Sequence, residues 1–189
     1  MISDHLWRAG QAACERWLIC VELQRGHAGG YSRSDSLPVQ LDNCRAMLAH
    51  ARAAGWRVVH VHLRRQAAGG APAAATRPIA GFEPLPSEAV FFRDGGPNCE
   101  DHPFWRLSQA EEGSKALVVG FIDDRSCASA VASLSRTGGQ VILVDDALGG
   151  GYARSFIERR VETAATRDIL RDGANLNRRP DWLQAANAP

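Results

Sequence analysis

Residues 116–147 restrict this chain's fold more than any other stretch, because they read as strand, tight turn, helix and strand in succession. Leu117, Val118 and Val119 form the short apolar, β-branched run that a fully buried strand needs. Gly120 lets the chain turn at the strand's C-terminal end. Asp123 or Asp124 is placed to cap the helix that follows. That helix carries small side chains at Ser126, Cys127, Ala128, Ser129, Ala130, Ala132 and Ser133, which allows close packing on a sheet. Gly138-Gly139 ends it, and Val141 to Val144 starts the next strand. Polar groups therefore collect at the C-terminal edge of a parallel sheet beside a helix N-terminus. Ligands bind at such edges, and the partial positive charge there favours anions and thiolates.

The rest of the chain extends the same alternation. Trp17 to Leu23 reads as a central strand, apolar on both faces, with Glu22 as a charge near its end. Residues 24–35, rich in glycine, are expected to be a mobile loop. Ser36 to about Ala54 is a helix with Leu41, Cys44, Met47, Leu48 and Ala51 on one face. Arg57 to Leu63 is the second strand, and residues 64–80 are an irregular excursion, read as a lid or oligomer contact. After a Pro-containing loop, Glu88 to Arg93 is the third strand, and a loop carrying Cys99 and His102 follows it. Gly149 to Gly151 reads as a turn, Tyr152 to about Leu170 as one long amphipathic helix, and the remainder as a tail. The expectation is one α/β domain over residues 1–189, with a core at about 16–150 and a parallel sheet flanked by helices.

Composition narrows the function classes. The chain has 189 residues, 45% hydrophobic and 23% charged, which suits one globular domain with a sizeable core. A net charge of +1 gives no footprint for nucleic acid or an anionic membrane. No apolar run approaches the roughly 20 residues that a membrane span requires. Asp4, His5 and Arg8 interrupt the start, so no signal peptide is read there. Five cysteines without a CxxC pair read as reduced thiols, so the expected location is cytoplasmic.

Few residues stand out as chemistry. A carboxylate at the end of a buried strand, as at Glu22, is costly unless it is paired or lies at the sheet edge. His60 and His62 share a strand face, where packing or bonding to neighbours is the simpler reading than a metal pair. Arg93 ends the third strand as a cation. No Gly-rich loop has the G-x-G-x-x-G form between a strand and a helix, which argues against a dinucleotide.

Three separated segments resemble the isochorismatase-like superfamily, also called the cysteine hydrolases. Trp17 to Gln24 is similar to that family's first strand, which ends in Asp-x-Gln. Val90 to Arg93 is similar to its third strand, which ends in Lys. Residues 117–147 are similar to its nucleophile strand–turn–helix and the strand beyond, and Asn43 with Ala54-Gly55-Trp56 agrees between them. The resemblance covers roughly residues 16–150. It implies a three-layer α/β/α sandwich with Rossmann-like topology, a small-molecule substrate and a homo-oligomer, dimer or tetramer. No cofactor is expected, and no metal, because His60 and His62 do not reproduce the Asp/His set through which some nicotinamidases hold one.

It also implies a catalytic Asp, Lys and Cys, and every member differs here. Glu22 stands at the Asp position, Arg93 at the Lys position and Ser126 at the thiol position, with Cys127 one residue later. Arginine keeps its charge and offers a planar fork for a carboxylate, but it is a poor proton donor. A serine hydroxyl needs a positioned base more than a thiol does. The family's turn geometry implies a cis peptide between Phe121 and Ile122, with the N–H groups of Ile122 and Ser126 as an oxyanion hole. Cys99 and His102 are further candidates for substrate contact. The leading expectation is amide C–N hydrolysis through a nucleophile at 126–127. Beside it stand a thiol-independent vinyl-ether hydrolase, as in isochorismatases, and an inactive ligand-binding or scaffold relative.

Overall fold

The computed structural model describes residues 16–30, 36–63, 74–93, 115–122, 140–150 and 161–172. Six parallel strands lie in the order β3-β2-β1-β4-β5-β6. They are β1 (Arg16–Val21), β2 (Arg57–Leu63), β3 (Ala89–Arg93), β4 (Lys115–Phe121), β5 (Gln140–Gly149) and β6 (Glu162–Ala164). The described helices are α1 (Arg25–Gly30), α2 (Leu37–Ala53) and α3 (Thr166–Asp172). This is an α/β fold around a central parallel sheet. The order reverses direction between β1 and β4, which is where open parallel sheets hold their ligands.

The apolar runs read from sequence become the central strands because both of their faces are covered. All six residues of β1 are buried. On one face Trp17, Ile19 and Val21 join Val59, Val61, Val118 and Leu143. On the other, Leu18 and Cys20 pack with Cys44, Met47, Leu48 and Ala51 of α2 and Ile169 of α3. The two-residue alternation of each strand thus feeds two separate cores. Cys20 and Cys44 are buried free thiols. Burial pushes the Cys44 thiol up to about 12, and the Cys20 thiol is also raised by burial, so neither is a nucleophile.

Two expected elements differ. The segment expected to be a glycine-rich loop begins instead with α1. Its first N–H groups are taken by the returning chain: Arg25 donates to the Arg77 carbonyl (3.0 Å) and Gly26 to that of Ala75 (2.9 Å). Tertiary partners thereby offset the poor helix propensity of glycine. The single helix expected from Tyr152 to Leu170 is corrected for its described part. Residues 162–164 form β6 on the edge of β5, and α3 begins only at Thr166. Asp146 Oδ1 fixes that start, accepting from the Thr166 backbone N–H (2.9 Å) and hydroxyl (2.7 Å).

Glycine is required where β1 and β4 meet. Gly120 has φ +112, and a Cβ there would collide with the Val21 carbonyl oxygen. Gly149 lies so close to Phe121 that a Cβ would come within 2.6 Å of its ring. Both positions draw the strand tips together just below the sheet's C-terminal edge.

Candidate active site at the β1–β4 edge

Glu22 leaves β1 one residue beyond the Val21–Gly120 pair. Its backbone has φ 50, a left-handed conformation unusual for glutamate, and its N–H donates to the Val61 carbonyl at 2.8 Å. Such a conformation costs on the order of 1–3 kcal/mol and tends to sit at functional sites. The residue is 0% exposed, so its carboxylate is withdrawn from water. His27 Nε2 on α1 lies 3.1 Å from Glu22 Oε2. The His27 ring also stacks on Phe121 at the end of β4, with centroids 6.4 Å apart and planes 20° from parallel.

Gln24 explains why α1 stands where it does. Its side chain accepts from Leu63 N (2.8 Å) and donates to the carbonyls of Leu63 (3.2 Å) and Thr76 (2.7 Å). One buried amide therefore ties the end of β1 to the end of β2 and to the returning 74–79 segment. Ile79 N closes the same seam on the Leu23 carbonyl at 3.0 Å. Gln24, Gly26, His27, Leu63, Ala75 and Thr76 line a small recess beside the Glu22–His27 contact. The 74–79 part of the expected lid is thus packed against the edge of the site.

The other expected site residues divide three ways. The Ile122 N–H is not placed as an oxyanion donor, because it already donates to the Gly149 carbonyl at 3.0 Å. The Phe121–Ile122 peptide is trans, since no peptide bond among the described residues is cis. Phe121 is present at the site, but as the apolar floor beneath His27. Arg93 ends β3 opposite Leu63, two strands from β1 and so roughly 10 Å away laterally. Ser126, Cys127, Cys99 and His102 lie outside the described residues. His27 was missed by reading 24–35 as a loop. Its signal was an imidazole five residues beyond a strand-ending carboxylate.

His60 and His62 belong to a different cluster. Glu88 accepts from Arg52 Nε (2.8 Å), Arg52 Nη2 (2.9 Å) and Leu85 N (2.9 Å), and meets His60 Nε2 at 2.9 Å. His60 in turn makes an edge contact with His62, centroids 5.9 Å apart. Burial alone would raise the Glu88 carboxyl, but the Arg52, Leu85 and His60 contacts outweigh it and hold it at about 2. Burial lowers His60 despite Glu88, and burial with the neighbouring His60 lowers His62 to about 4. These histidines bond and pack. Among the described residues no group of three or more His, Cys, Asp and Glu is placed to hold a metal ion.

The family model for the isochorismatase domain matches residues 16–166. The chain belongs to the isochorismatase family. Its fold is similar to that of an isochorismatase from Pseudomonas putida, at 20% identity and a TM-score of 0.67, covering 87% of this chain and 96% of that one. It is similar to a cysteine hydrolase from Pseudomonas syringae pv. phaseolicola, at 13% identity and a TM-score of 0.66, covering 84% and 92%. It is also similar to N-carbamoylsarcosine amidase from Thermoplasma acidophilum, at 12% identity and a TM-score of 0.65, covering 80% and 96%. At these identities the likeness shows the fold. No curated protein sequence matches the chain. Among the described residues no helix is long and apolar enough to cross a membrane.

Proposed function

We propose that this isochorismatase-family chain is a small-molecule hydrolase cleaving a C–N bond through a hydroxyl or thiol at positions 126–127. The observation that carries the reading is Glu22: a fully buried carboxylate, held in a left-handed conformation, at the tip where the sheet reverses direction. An interior carboxylate and a strained backbone both cost stability, and the two coincide at the kind of edge where open parallel sheets bind ligands. Val21, the last residue of β1, pairs with Gly120 of β4, and β4 leads in sequence to residues 123–127.

In this scheme the nucleophile attacks the carbonyl carbon and its proton passes to the acid–base group at Glu22. The tetrahedral intermediate collapses, the C–N bond breaks and the departing amine takes that proton. Water then releases the acyl group by the same route in reverse. Arg93 is assigned to a carboxylate or other anionic group of the substrate, for which its planar fork is suited. Cys99 and His102, in the segment that follows β3 in sequence, are assigned to substrate contact. The protein is expected to act as a homo-oligomer, which sedimentation of the purified chain measures.

The test is hydrolysis of an amide panel that includes N-carbamoylsarcosine and nicotinamide, with Glu22→Gln, Ser126→Ala and Cys127→Ser beside the natural chain. Turnover of one substrate, cut by ~10²–10⁴ in Glu22→Gln, is the expected result. Iodoacetamide and Cys127→Ser abolish it if the thiol attacks, and Ser126→Ala does so if the hydroxyl attacks. Isochorismate cleavage that resists all of these places the chemistry at a vinyl ether. No turnover of any substrate leaves an inactive relative.

A further inference from the structure

We infer that the proton-transfer group of this site is an imidazole–carboxylate dyad, His27 with Glu22 behind it, and not Glu22 alone. The inference rests on the hydrolase reading above and adds a residue and a role to it. Three observations support it independently of the sequence resemblance.

The first is accessibility. Glu22 is 0% exposed, whereas the His27 side chain is 11% exposed and lines the recess at the sheet edge. At this edge the imidazole, and not the carboxylate behind it, is the group that meets solvent. The second is orientation. His27 Nε2 is the ring nitrogen 3.1 Å from Glu22 Oε2, and the ring plane is set by stacking on Phe121. The contact is at ion-pair distance and is not aligned as a hydrogen bond; the nearby negative charge still favours the proton on Nε2 and leaves the other nitrogen to act as base. The third is construction. Gln24 and the backbone bonds of Arg25 and Gly26 to the 75–77 segment fix the first turn of α1, and so the base of the His27 side chain. A proton-transfer group needs this kind of rigid support to hold its reacting geometry.

The dyad also resolves a chemical difficulty. Arg93, the cation at the end of β3, does not exchange a proton near neutral pH. A hydroxyl nucleophile needs a base better matched to neutral pH than a lone carboxylate, and imidazole is that base. In the step assigned here, His27 Nδ1 takes the proton from the attacking O–H or S–H as the O–C or S–C bond forms. Glu22 stabilises the resulting imidazolium. The same proton goes from Nδ1 to the amine nitrogen as the C–N bond breaks, so the dyad returns to its starting state.

The experiment compares the natural chain with His27→Ala and His27→Gln on the best substrate of the amide panel, alongside ¹⁵N NMR of the histidine rings. His27→Ala is expected to lower kcat/KM by ~10²–10⁴, to change the shape of its pH profile and to regain rate on addition of free imidazole. His27→Gln, which still offers Glu22 an N–H but carries no proton to and fro, is expected to be as slow. Rates within a few-fold of the natural chain in either variant, with folding confirmed by circular dichroism, overturn the dyad and leave the hydrolase reading standing. If the natural chain hydrolyses nothing, the hydrolase reading fails and the NMR alone decides. A His27 ring protonated on Nε2, changing its ¹⁵N signals in Glu22→Gln, supports the pairing; an Nδ1–H ring, or one indifferent to Glu22→Gln, overturns it.

Discussion

Glu22 and Glu88 are both glutamates of the interior with an imidazole at contact distance, 3.1 Å to His27 and 2.9 Å to His60. They differ in backbone, place and partner. Glu88 stands before the edge strand β3 and is gripped by a forked guanidinium and a backbone N–H in addition to its histidine. It locks α2 to β2 and to the 82–88 loop. Glu22 stands at the sheet's reversal point in a left-handed conformation, beside a recess and below a partly exposed imidazole. A saturated buried carboxylate is a fastening. A buried carboxylate on a strained tip, within reach of a proton carrier, is the stronger candidate for chemistry.

Exchanging each carboxylate for its amide separates the two roles most sharply. Glu88→Gln takes the charged acceptor from a partly exposed Arg52 and is expected to cost about 2–3 kcal/mol in urea unfolding while sparing turnover per folded molecule. Glu22→Gln is expected to shift stability by no more than about 1 kcal/mol, since an imidazole can meet an amide as a neutral ring. Its effect should fall on kcat/KM instead. A large stability loss in Glu22→Gln, or a large rate loss in folded Glu88→Gln, breaks the comparison.

Acid should find the His60–His62–Glu88 cluster next. His62 has a folded-state value of about 4, below its ordinary 6.5, so the stability it contributes is present above about pH 6.5 and is lost as pH falls towards 4. The loss amounts to about 3 kcal/mol once pH is below 4. Glu88, lowered from 4.5 to about 2, adds a second loss between those values. Urea midpoints measured from pH 7 to pH 3 should fall in that order, and His62→Phe should shrink the first fall to the share of His60 while leaving the second.

The smallest effect isolates the backbone part of the contrast. Gly55, at the end of α2, has φ +68 and no atom within 4 Å of where a Cβ would lie. Gly55→Ala therefore measures the left-handed conformation by itself, expected at about 1 kcal/mol in chemical unfolding. That value is the reference for what Glu22 bears at φ 50. A negligible cost at Gly55 removes backbone strain from the case for Glu22.

The strands at 16–21, 57–63, 89–93 and 115–121, and the start of β5, were legible because apolar, β-branched runs bounded by glycine and polar residues have few other uses; Gly149, expected in a turn, instead ends β5. Glu22 was legible as a candidate because a charge ending such a run demands a reason. His27 was not, because α1 is helical only through partners some 50 residues further along the chain, at Ala75 and Arg77. The 161–165 segment was misread for the same reason: its strand pairing depends on β5 and its helix start on Asp146.

The amino-acid sequence alone determined the alternation of strands and helices, the buried character of β1 and the carboxylate at its tip. Periodicity and propensity are local and survive without knowledge of neighbours. Only the tertiary structure decided which histidine meets which glutamate, that Gln24 binds three chain segments together, and that the Ile122 N–H is already engaged. Those are contacts between residues distant in the chain, and they exist only once parallel pairing brings separate strand tips to one edge.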